Sequence, residues 1–241
     1  AAVYNEYLLK TSRMVKSRNS DFDGLLSGMC GDFSRIPRTN GMKPLIGIIG
    51  EIFVRHNAFA NEDIIRKIEA LGGEVWLAPV DEWLYYVNST ALHKALIKWR
   101  NSFFSKGPLN DIIKIIITRL VQKNIEHKFS VPFRGFLKTL KEPSTGEIIK
   151  NASRYLHKSF EGEAILSIGK TIDFVKKGSS GIISTMPFGC MPGTIVSALL
   201  KGVKKDTGIP CLSIAYDGAE AASSEIQLEA FMHQAKEYKI T

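Results

Sequence analysis

The sequence predicts an α/β fold built on an open four-stranded parallel sheet with a large helical insertion, and three observations carry that expectation. Four short apolar runs, at residues 44–50, 74–79, 181–185 and 210–216, read as strands interleaved with segments of helical periodicity, the third being rich in β-branched residues. The first run is continuous rather than alternating, which fits a strand covered on both faces. The first two are joined through one helix within about 35 residues, the length of a right-handed parallel crossover unit. Together these features predict a sheet of Rossmann or flavodoxin type.

Taken in order, residues 1–10 read as an amphipathic helix rather than a secretory leader. The chain opens without an initiator methionine and in mid-pattern, as a piece cut from a longer protein would. Phe22, Leu25, Leu26, Met29, Cys30 and Phe33 then recur at helical spacing, which makes Cys30 a small core residue on an apolar stripe. Residues 36–41 read as a linker, so 1–42 form a helical N-terminal extension and linker, and 43–241 the α/β domain. After the first strand, residues 51–60 read as a loop. It leads to a helix capped by Asn61, carrying Ile64, Ile65, Ile68 and Leu71, and stopped by Gly72 and Gly73. A helical section with Pro and Gly breaks, from about 84 to 176, is too long for a simple crossover and reads as an insertion able to form a lid or partner surface. The third strand passes through two prolines and two glycines into a helix from about Thr194, and the fourth precedes a final helix at 224–239. Cys211, inside the fourth strand, reads as core.

Composition narrows the class. With 241 residues, 44% hydrophobic and 23% charged, the chain buries a full core, and none of its apolar runs reaches membrane-spanning length. Three scattered cysteines make no disulfide framework, which points to a reducing cytoplasm. A net charge of +8 invites nucleic acid, but the basic residues are spread along helices without a basic arm or an aromatic-basic motif. Solvated helix faces account for them, and no nucleic-acid or membrane partner is expected.

In an open α/β sheet, ligands bind beyond the carboxyl ends of the strands where strand order reverses. That edge collects Glu51 and Arg55 from the first strand, Asp81 and Glu82 from the second, Phe188, Gly189 and Cys190 from the third, and Asp217 from the fourth. The first loop lacks the GxGxxG spacing, and no P-loop motif occurs, which disfavours dinucleotides and ATP. Glu51 and Arg55 suit either an anionic ligand or each other. Asp217 suits either the crevice or a helix cap. Cys190 stands before a helix, where amide groups and the helix dipole favour an anion or thiolate. It reads as a metal ligand, a nucleophile activated by His56, a ligand contact, or an inert buried thiol.

Three segments carry a family resemblance: residues 43–55 (KPLIGIIGEIFVR), 73–79 (GEVWLAP) and 186–194 (MPFGCMPGT). They resemble the C-terminal portion of CoA-substrate-specific enzyme activases, itself similar to the D-component of 2-hydroxyacyl-CoA dehydratases. The resemblance spans about 43–239 and implies anaerobic cytoplasmic chemistry. It also implies an iron-sulfur cluster to which Cys190 contributes a ligand, a dehydratase or activase subunit as partner, and a CoA ester as ligand. A cubane cluster needs several converging thiolates, and the family's first α/β domain has no counterpart here. The resemblance therefore implies a module holding part of a cluster site, or an electron-transfer and docking surface, rather than a dehydratase active by itself. The alternatives are a noncatalytic CoA- or partner-binding module and a cysteine-dependent hydrolase or transferase.

Overall fold

The computed structural model describes residues 2–17, 21–37, 41–102, 106–135, 137, 142–218 and 222–238. The chain divides into two compact units, one made of Ala1–Gly41 with Thr90–Glu142, the other of Met42–Ser89 with Pro143–Thr241. This division differs from the one expected from sequence. The N-terminal extension shares a unit with the middle of the insertion, while the insertion's two ends belong with the sheet.

In the first unit, α1 (Ala2–Ser17) and α2 (Phe22–Ser34) pack on each other. Tyr7 and Leu26 are buried, and the Tyr7 hydroxyl donates to Asp32 at 2.7 Å. Cys30 is half-buried and its thiol donates to the Pro132 carbonyl at 3.1 Å, in keeping with a core role.

The second unit contains β1 (Leu45–Gly50), α3 (Ile52–His56), α4 (Ile64–Ala70) and β2 (Glu74–Leu77), after which α5 (Asp81–Asn101) begins. The chain then forms α6 (Lys106–Ser130) in the first unit and returns with α7 (Thr145–Ala152) and α8 (Glu163–Lys176). It ends with β3 (Gly181–Pro187), α9 (Met191–Thr207), β4 (Cys211–Tyr216) and α10 (Ala222–Glu237). The four strands are all parallel in the order β2-β1-β3-β4. The open parallel α/β sheet read from the four apolar runs is therefore the fold.

Alternation along the strands divides the core into two layers. Ile46, Ile48 and Ile183 face α4 and α10, meeting Ile64, Ile68, Leu228, Phe231 and Met232. Ile49 and Ile182 face the other layer, with Ile165, Ile168 and Phe174 of α8 and Val196, Leu200 and Val203 of α9. α8 is thus the crossover helix between β2 and β3, and α7 packs over it. Almost every residue of α8 is buried, including Lys170, whose ammonium lies 3.3 Å from Asp173; Lys177 reaches the same carboxylate at 2.9 Å. A cation that deep is tolerated because it is paired. Cys211 opens β4 against the α8–α9 layer, and burial pushes its thiol up to about 12. It is a poor thiolate donor there.

Candidate functional site

Strand order reverses between β1 and β3, so their carboxyl ends bound the crevice where this fold places ligands. Gly50 closes β1 with φ +111°, and a Cβ there would lie 2.0 Å from the Thr185 carbonyl oxygen of β3. The next amide, Glu51 N–H, donates to that oxygen at 2.9 Å. Only a glycine allows the two strands to close this tightly at the head of the crevice.

Glu51 turns back onto the helix it precedes. Its carboxylate accepts from the amides of Phe53 at 3.0 Å and Val54 at 2.7 Å. A second carboxylate, that of Glu163 at the start of α8, faces the Ile52 amide. Two of the first three amides of α3 are therefore occupied by the chain's own Glu51.

Arg55 is also used internally. Only 2% exposed, it donates to the carbonyls of Gly50 at 2.9 Å and Pro79 at 3.0 Å and pairs with Glu82 at 3.1 Å. It joins the end of β1 to the residues that follow β2. Burial lowers its pKa and Glu82 opposes the shift, but a guanidinium starting so high stays charged.

Glu163 had no place in the sequence reading, which put it inside the insertion. The available signal was Gly162-Glu163 opening a strongly apolar helical run. Its pKa is raised, first by burial and next by the charge of Glu51, against the opposing effects of Arg55 and the Ile52 amide. A folded-state pKa above the unfolded value means that its contribution to stability is full below the ordinary carboxylate pKa. That contribution is lost as pH rises through the raised value. Glu163→Gln keeps the size of the side chain and removes the charge that acts on Glu51. We expect a higher Tm at neutral pH and a flatter Tm profile between acid and neutral pH, read by thermal denaturation; an unchanged profile would exclude this coupling.

The β3 side of the crevice is built differently. The Phe188 amide donates to the Tyr216 carbonyl at 2.9 Å and the Cys190 amide to Pro187 at 3.1 Å, closing a tight turn whose third residue, Gly189, has φ +74°. Cys190 is the N-cap of α9, which starts at Met191, three residues earlier than its periodicity suggests. Its carbonyl accepts from both the amide and the hydroxyl of Thr194 at 2.9 Å, whereas the thiol of this half-buried residue does not cap the helix. Phe188 and Met191 on either side are 78% and 71% exposed. Asp217 is exposed beyond β4, one strand further from the reversal point.

His56 is held by a 2.9 Å bond between Nδ1 and the Ile52 carbonyl, which fixes Nδ1 as the protonated nitrogen. Burial, with help from Arg55, lowers its pKa. Among the described hydrogen bonds none joins His56 to Cys190. Asn61, expected as the cap of the helix that is α4, lies two residues before its N-cap, Asp63, but accepts from the Ile64 amide at 3.3 Å and donates to the Val54 and Arg55 carbonyls. It secures the loop between α3 and α4, where Glu62 and Asp63 both take left-handed torsions.

Among the described residues no group of three or more His, Cys, Asp or Glu is arranged to hold a metal ion, and no helix is long and apolar enough to cross a membrane. The crevice thus combines a β1 side where Glu51 and Arg55 are engaged by the chain's own atoms, with Arg55 Nε left over, and a β3 side that presents a thiol and two large apolar side chains. No family model, curated protein or solved structure matches the chain.

Proposed function

We propose that this chain is a module of a protein related to 2-hydroxyacyl-CoA dehydratase D-components and their activases, offering Cys190 as one thiolate ligand of an iron-sulfur cluster. One observation supports the reading above the others. Cys190 is half-buried at the carboxyl end of β3, beside the strand reversal, and its thiol does not cap the helix behind it. Such a cluster would supply one-electron chemistry toward a 2-hydroxyacyl-CoA. The chain's other thiols are otherwise engaged: Cys30 donates to the Pro132 carbonyl within its own unit, and Cys211 is at the opposite end of its strand from the crevice. Further ligands would come from another segment or an activase or dehydratase subunit, seated against Phe188 and Met191.

The test is anaerobic reconstitution of the full-length protein with iron and sulfide, followed by absorption and spin-resonance spectra. A cluster that is lost or altered in Cys190→Ala is the expected result. Full retention in that variant, or no cluster at all, would sink the proposal. The exposed Phe188 and Met191 also favour a second reading, a noncatalytic docking surface for a dehydratase subunit. Partner binding measured by calorimetry would then be insensitive to Cys190→Ser and weakened by Phe188→Ser. A CoA ester would need a seat for its phosphates away from the α3 amides, two of which Glu51 occupies.

A further inference from the structure

The chain's positive charge is not evenly shared. Residues 1–41 and 90–142 hold 17 Lys and Arg against 7 Asp and Glu, a formal +10; residues 42–89 and 143–241 hold 15 against 17, a formal −2, and the two make up the +8 of the whole. The all-helical unit thus carries the entire excess. It also leaves apolar residues uncovered. On α6, Ile113, Ile117, Val121 and Ile125 follow one another at four-residue spacing, each about half exposed, and Leu120 beside them is 64% exposed. Between α6 and the part of α5 that lies in the same unit runs an open groove of about 410 Å³, lined by Ala91, Lys94, Ala95 and Lys98 on one side and Asp111, Lys114 and Ile115 on the other.

From these features we infer that the helical unit docks an acidic amphipathic helix of a partner protein along α6 and the α5 groove. Four-residue spacing makes a ridge of the kind that interdigitates between crossing helices. At 3.6 residues per turn that ridge advances about 40° per step, about 120° from Ile113 to Ile125, so a flat bilayer meets only part of it, whereas a crossing helix follows it. The ridge is aliphatic and offers no stacking platform for bases, which disfavours single-stranded nucleic acid. Lys98 of α5 and Lys114 of α6 are exposed where they line the groove beside it and complement carboxylates on the partner. Two copies of a +10 unit repel each other, so this face does not pair with its own kind.

The probe is a labelled synthetic helix with a leucine ridge at four-residue spacing flanked by glutamates, followed by fluorescence anisotropy with the purified chain. Controls are the same peptide with lysine for glutamate, vesicles containing phosphatidylglycerol, and duplex and single-stranded DNA. Saturable binding of the glutamate peptide is expected, weakening as salt rises. It should fall at least about tenfold in Ile117→Glu with Leu120→Glu, and likewise in Lys98→Glu with Lys114→Glu. All four positions are exposed, and unchanged thermal melts would show that the variants fold. Any of the following overturns the inference: no binding, equal binding of the lysine peptide, insensitivity to the substitutions, preference for vesicles or DNA, or a dimer in light scattering that the same substitutions dissolve.

Discussion

Arg55→Met is expected to lower the unfolding free energy by about 3–5 kcal/mol. The guanidinium is 2% exposed and its partner carboxylate, on Glu82, is only 9% exposed. Methionine nearly fills the space but removes the cation that faces the buried Glu82 carboxylate and the donors that Arg55 gives the Gly50 and Pro79 carbonyls. Urea denaturation should show the loss as a lower midpoint with an unchanged slope, because the folded state stays compact. Adding Glu82→Gln should recover part of it, since a buried pair replaced on both sides costs far less than one broken on one side. A loss below about 1 kcal/mol would mean that water reaches this pair and that it behaves as a surface ion pair.

Gly50→Ala should cost about 3 kcal/mol or more, from two separable sources. At φ +111° an L-residue is strained, and its Cβ would press within 2.0 Å of the Thr185 oxygen. That atom belongs to the backbone of β3, so relief requires the β1–β3 ladder to part. Gly189→Ala isolates the first source: its φ is +74°, but nothing lies within 4 Å of the added carbon. The second variant should lose only about 1–2 kcal/mol, the torsional part alone. Equal losses in the two would show that β3 moves freely away from β1.

The four strands were legible because each is a short apolar run, and the parallel pairing of the first two follows from a connection long enough to hold a helix. Helices were harder. α3, only five residues long, is too short to show periodicity and was read as loop; α8 shows strong periodicity, but a pattern in one helix cannot say what covers it. Hence α8 was grouped with α5 and α6, although it lies against β1 and α9. Likewise, nothing in the sequence ties residues 1–41 to residues 90–142, because that pairing exists only through tertiary contact. At the candidate site, the sequence located Glu51, Arg55, Phe188, Gly189, Cys190 and Asp217 at the correct strand ends. It could not show that Arg55 uses its polar atoms within the protein, since that depends on Pro79 and Glu82 arriving from beyond β2; Glu51's bonds are local, to the amides of a helix that was read as loop.

Glu51 has one further consequence. The amides opening α3 lie where many open α/β proteins receive a phosphate, and here the occupying anion is covalently attached one residue away. An incoming oxyanion would compete with an intramolecular rival, whose effective concentration exceeds that of any free metabolite. Shortening the rival, as in Glu51→Gly, would vacate the seat. Whether sulfate or phosphate then raises the melting temperature of that variant, but not of the parent, is a direct measure of how fully one side chain has closed this edge to phosphorylated compounds.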